Sequence, residues 1–176
     1  QGRYLIPDLP KATYDVWVRG YGLVDSPKSK SAAGKTLDLK ATPAPNARAA
    51  AQYYPAGYWL SMLKVPDKSE FPGTGAEANG ISPNVKSQQD WIRLTKSGGC
   101  TACHQLGTKG TRELLPQLGT FKSSKEAWDR RIQSGQGGHP MFETTVKQLG
   151  TANLRYLADW TDRIAKGELP HTKPMR

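Results

Sequence analysis

Two cysteines, Cys100 and Cys103, stand three residues apart, and His104 follows at once. They are the only cysteines in the chain, and no other feature narrows the choice of fold as far. A disulfide framework needs more cysteines at wider spacing, and a bridge between these two closes a loop too small to stabilise much. Covalent haem attachment makes a different demand. Two thiols must add to the two vinyl groups of one porphyrin, and two intervening residues bring both sulfurs to the macrocycle edge. The following histidine then points under the ring and binds iron. Cys100, Cys103 and His104 meet all three requirements, so the expected cofactor is one covalent haem c. Competing chemistries fit less well. A zinc site takes four ligands, and the sequence has no second pair at ligand spacing. A thioredoxin-like dithiol expects a preceding strand, whereas this motif follows a helical pattern and Gly98-Gly99.

A second axial ligand has three downstream candidates, Met141, His139 and His171. Met141 lies in Gly137-Gly-His-Pro-Met-Phe142, where Gly and Pro suggest a shaped loop. A thioether there is a soft ligand that favours ferrous iron and raises the potential. His139 as ligand lowers the potential instead, and an open position admits small ligands. Pro116, in Leu114-Leu-Pro-Gln-Leu118, is a candidate to lie against the haem on the His104 side, with neighbouring carbonyls fixing the imidazole; an ordinary turn proline is the alternative. Trp91, Phe121, Trp128, Tyr156 and Trp160 are the expected walls of a dry pocket.

The pattern along the chain predicts an α+β fold in three parts. Residues 1–42 read as strands and turns. Thr13–Arg19 alternates with Tyr14, Val16 and Val18 on one face, Lys35–Lys40 alternates again, and Asp25–Ser31 is a polar turn. Short strands over about 40 residues are too few for a core of their own. Residues 43–83 read as a linker. Asn46 is its N-cap, a short helix follows from Ala47, Tyr58–Leu63 is an apolar patch suited to packing, and 66–83 is an extended connector. Residues 84–176 form the third part, and 84–170 read as helical. Ser87–Asp90 and Ser123–Glu126 are capping boxes, Gly135 is a stop, and Leu154, Leu157, Trp160 and Ile164 line one face of a closing helix ended by Gly167 and Pro170.

Charge bears on partners. The net charge is +10, from 25 basic and 15 acidic residues. Residues 81–176 carry +7 of it, fifteen basic against eight acidic side chains. A basic surface suits an acidic face on a redox partner protein. The Lys and Arg residues are scattered, and no nucleic-acid motif accompanies them. Mean hydropathy is −0.64, and no stretch approaches the roughly 18 apolar residues of a membrane span. The start shows no basic segment leading into an apolar run, so either a leader has been removed or the chain continues upstream.

Residues 84–170 resemble a class I cytochrome c domain. The resemblance runs through a helix before Cys100, the attachment motif, the Pro116 loop, a helix, the Met141 loop and the closing helix at Leu154-Arg-Tyr-Leu-Ala-Asp-Trp160. One departure is His139-Pro140-Met141, where the commoner order is Met-Pro. Residues 1–24, through Gly2–Pro10 and Tyr14–Gly20, resemble the last strands of a carboxypeptidase regulatory-like β-sandwich. Some large secreted bacterial proteins join such a β domain to a cytochrome c domain and a β-propeller. The resemblance implies single-electron transfer, export to the periplasm or cell surface, and membership of a larger polypeptide or complex. The alternatives are an electron-accepting unit of a multidomain dehydrogenase and a haem-bearing structural subunit. No general base with a substrate pocket is visible, so the expectation is a carrier and not an enzyme.

Overall fold

The computed structural model describes residues 2–103 and 105–171. The fold is mixed, with several helices and a few short antiparallel strands. The chain divides into two units, one of residues 2–54 with His171, the other of residues 55–170.

In the first unit, β1 (Thr13–Val16) pairs antiparallel with β3 (Ser29–Ala32), Thr13 opposite Ala32 and Val16 opposite Ser29. A second pair joins β2 (Leu23–Val24) to β4 (Thr42–Pro43). Tyr14, Val16 and Val18 are half-buried as the alternation requires. The strand stops before Val18 because that N–H donates to Ser26 Oγ (2.9 Å), while Ser26 N–H returns to Val18 O (3.1 Å). Three expectations are corrected here. Ser29–Ser31, expected within a polar turn, is strand. Lys35–Lys40, expected as strand, belongs to no ladder, although Leu37 and Leu39 are half-buried. Alternation marks a pleat with one covered face, but only a hydrogen-bonding neighbour makes it a strand. Pro43, expected to open the linker, is likewise strand, paired with Leu23. Asn46 Oδ1 accepts from Ala49 N–H at 2.9 Å and caps α1 (Ala47–Ala51).

The second unit is helical. It runs through α2 (Ala56–Ser61), α3 (Gln88–Ile92), α4 (Lys109–Arg112), α5 (Ser124–Ile132), α6 (Gly138–Phe142) and α7 (Ala152–Ala165). Helix α3 continues as a π-helical turn, Arg93–Ser97, and α6 as another, Glu143–Gln148. The serine caps form: Ser87 Oγ accepts from Asp90 N–H and Ser123 Oγ from Glu126 N–H, both at 3.2 Å. The reciprocal legs reach one residue further back, to Lys86 N–H and Lys122 N–H.

Helix α7 organises this unit. Leu154, Leu157, Trp160 and Ile164 are all buried, and α5 packs across it. Trp160 Nε1 donates to Trp59 O (2.8 Å), tying α7 to α2. The connector is more than a wrap. Ser82 N–H donates to Leu149 O (3.0 Å), and Ala152 N–H to Gly80 O (2.9 Å). Tyr156 Oη and Arg155 both donate to Glu70. Ile81 and Leu63 are almost wholly buried; each contributes about 1.5–3 kcal/mol. Gly150 makes the crossing feasible, since its φ is +98° and a Cβ there would stand 2.2 Å from Gly80 O.

Candidate functional site

The Cys100–Cys103 segment follows α3 by way of two glycines. A Cβ on Gly99 would stand 2.6 Å from Leu94 O and 2.9 Å from Thr144 Cγ2, so only glycine passes between the two π-helical turns. Such turns recur at functional sites because the extra residue re-aims the chain. The chain then winds into a short 3₁₀ turn, Cys100–Ala102, closed by Ala102 N–H to Gly98 O at 2.7 Å. Cys100 is partly covered and Cys103 is exposed. Burial pushes the Cys100 thiol up to about 11, a poor nucleophile near neutrality. His104 lies outside the described residues.

After the motif, Leu106 and Gly107 are buried. Gly107 has φ +97° and approaches α2 so closely that a Cβ would meet Ala56 O at 2.0 Å. Its N–H donates to Thr111 Oγ1 (2.9 Å), and its carbonyl accepts from Arg112 Nη1 (3.0 Å). The Arg112 guanidinium stacks 3.9 Å from the Trp59 ring centroid. Gly107 is therefore packed against α2 and tied to α4.

These elements enclose a cavity of about 560 Å³. Cys100, Cys103 and Leu106 form one side. Helix α5 contributes Trp128, Arg131 and Ile132, and α6 contributes Pro140 and Met141. Thr144 and Thr145 of the second π-helical turn and Leu157 of α7 also line it. Trp128 is fixed by its Nε1–H to Thr161 Oγ1 bond at 2.9 Å. The volume falls within the roughly 300–1,000 Å³ of cofactor pockets, and the lining is mainly apolar. Two thiols from the Cys100–Cys103 turn and a thioether from α6, lining one cavity, suit a flat, apolar, iron-bearing macrocycle. The residues present thus fit a haem.

The structure brings Cys100, Cys103 and Met141 to one cavity. It does not bring Pro116 or His139 there. Pro116 is exposed at the start of a 3₁₀ turn, Pro116–Leu118, and His139 is exposed on α6. His171 belongs to the other unit. The Met141 segment is helix, not the expected loop. Pro140 sits in the first turn of α6, where a missing N–H costs nothing. Of the five expected wall aromatics, only Trp128 lines the cavity. Trp91 packs edge-on against Tyr156 (5.8 Å), Trp160 is committed to Trp59 O, and Phe121 is half-buried elsewhere. Arg131, Thr144, Thr145 and Leu157 were not expected. The helical spacing from Trp128 to Arg131 and Ile132 was the available signal for the first of them. Among the described residues, no group of three or more His, Cys, Asp or Glu side chains gathers. Set against protein-family models, curated proteins and solved structures, the chain matches none.

Proposed function

We propose that the second unit is a c-type cytochrome that moves single electrons, with one haem joined to Cys100 and Cys103 and with His104 and Met141 as axial ligands. The observation that carries this reading is that both cysteines and Met141 line the same apolar cavity. His139 is exposed and absent from that lining, which favours Met141 over its neighbour. A bound haem would supply a one-electron ferric/ferrous couple between a donor protein and an acceptor. The chain's own residues do the rest. Trp128, Ile132 and Leu157 exclude water, which keeps solvent reorganisation small as charge moves. Met141 offers a soft sulfur that favours the reduced metal. Ala102, Cys103 and Gln105 are exposed beside the attachment points and form the contact surface for a partner. The net charge of +10 suits a partner with an acidic docking face.

No helix among the described residues is long and apolar enough to cross a membrane. The proposed location is the periplasm or cell surface of a bacterium, where thioether attachment takes place, within a larger polypeptide or complex. Visible spectra of the oxidised and reduced protein test the ligand set. A weak far-red band of Met-to-ferric-iron ligation, present in the wild type and lost in Met141→Ala, is the expected result. A haem spectrum that lacks the band, or keeps it in Met141→Ala, removes Met141 from the assignment.

A further inference from the structure

Arg131 is the one charged side chain among the described residues that line the cavity. The others carry glycine, thiol, hydroxyl or apolar groups. Its guanidinium lies 4.9 Å from the centroid of the Trp128 ring, one turn earlier on α5. It donates to Thr111 O at 3.1 Å and to Gly110 O. Both acceptors are neutral carbonyls, and among the described residues no carboxylate pairs with it. Its neighbour Arg130 bonds instead to Ser134 Oγ (2.7 Å) at an exposed position. Burial lowers the pKa of Arg131, yet a guanidinium stays protonated.

Bridging α5 to the Gly110–Thr111 backbone needs donors, and a neutral amide would supply them. A full positive charge at an apolar wall is costly and does something that packing does not require. We propose that Arg131 sets the electron affinity of this cavity, its fixed charge favouring whichever state of the bound group holds one more electron. The inference rests on the haem reading above. For a haem receiving one electron from a donor protein, the favoured state is ferrous, so the charge raises the midpoint potential. Across a partly apolar wall, a unit charge is worth on the order of tenfold in the ferrous/ferric equilibrium. Tenfold corresponds to about 59 mV for one electron.

The test is spectroelectrochemical titration of the haem-loaded protein as wild type, Arg131→Gln, Arg131→Lys and Arg130→Gln. Arg131→Gln should lower the midpoint by about the tenfold equivalent, while Arg131→Lys and Arg130→Gln stay near wild type. An unchanged midpoint in Arg131→Gln overturns the proposal and leaves the haem reading standing. So does an equal fall in Arg131→Lys, which makes the effect one of shape, or in Arg130→Gln, which makes it one of overall charge. Should Arg131→Gln fail to load haem, Arg131→Met takes its place as the neutral variant. If neither neutral variant loads haem, the charge serves binding and not the potential, and the proposal is overturned. A wild type that binds no haem defeats the underlying reading itself and is recognised before any variant is compared.

Discussion

Gly107→Ala is the substitution with the most predictable consequence. Gly107 has φ +97°, and an added Cβ would stand 2.0 Å from Ala56 O, 2.9 Å from Ala56 C and 3.0 Å from Leu60 N. All three are backbone atoms of the α2 region, so no side-chain rotation relieves the clash. The left-handed backbone alone costs an alanine about 1–2 kcal/mol. Moving the segment away from α2 also breaks the bond from the buried Arg112 to Gly107 O, and a buried hydrogen bond to a charged group is worth about 1.5–3 kcal/mol. The expected loss is about 3–5 kcal/mol, large for one substitution. For a unit of this size, that lowers Tm by about 10 °C or more. Gly110→Ala is the internal control. It lies in α4 with nothing within 4 Å of its Cβ, so it should be neutral or stabilising by up to about 1 kcal/mol. Urea unfolding followed by circular dichroism reads both variants. The reasoning fails if Gly107→Ala stays within about 0.5 kcal/mol of wild type, or if the two alanines cost the same.

Trp128→Phe should destabilise by about 1–2 kcal/mol, because Thr161 is 4 % exposed and loses its donor; a double-mutant cycle with Thr161→Val isolates that bond. In the haem-free protein, mass spectrometry after alkylation at mild alkaline pH should find Cys103 labelled before Cys100, since Cys103 is exposed and burial holds the Cys100 thiol at about 11. The reverse order contradicts the site geometry. Asp159 titrates below its ordinary range: desolvation pushes it up, but bonds from Arg163 (2.8 Å) and Lys64 (3.4 Å) outweigh that. A depressed folded pKa stabilises above the unfolded value of about 3.9 and is lost as pH falls through the folded pKa. The Tm gap between wild type and Asp159→Asn should therefore shrink below about pH 4; a gap that widens on acidification refutes the sign.

Much of the helical unit was legible because its signals are local. The spacing of Leu154, Leu157, Trp160 and Ile164 is set by one helix, and each serine cap bonds three residues ahead. What misled were features decided by distant neighbours. Lys35–Lys40 has the alternation of a strand, but the ladder partner of β1 is Ser29–Ala32. Gly137–Pro140 has the composition of a loop, yet Pro140 occupies a helix first turn, where it is tolerated. The convergence of Cys100, Cys103 and Met141 on one cavity depends on α5 and α7 crossing, which no local window contains. Arg131 stayed hidden for the same reason, since one helical surface carries both solvent-facing and cavity-facing arginines, and Arg130 and Arg131 are adjacent. The aromatics were over-assigned to the pocket because size and burial do not say which side of α7 a ring fills.

The most direct test of the central claim is the intact mass of the chain, expressed in the periplasm alongside haem-attachment machinery and denatured before measurement. The account predicts a gain of the mass of one haem that survives denaturation, together with a red protein. That gain should be lost or become labile when both Cys100 and Cys103 are alanine. An unmodified mass in the wild type, under conditions where a control c-type cytochrome is loaded, contradicts the account.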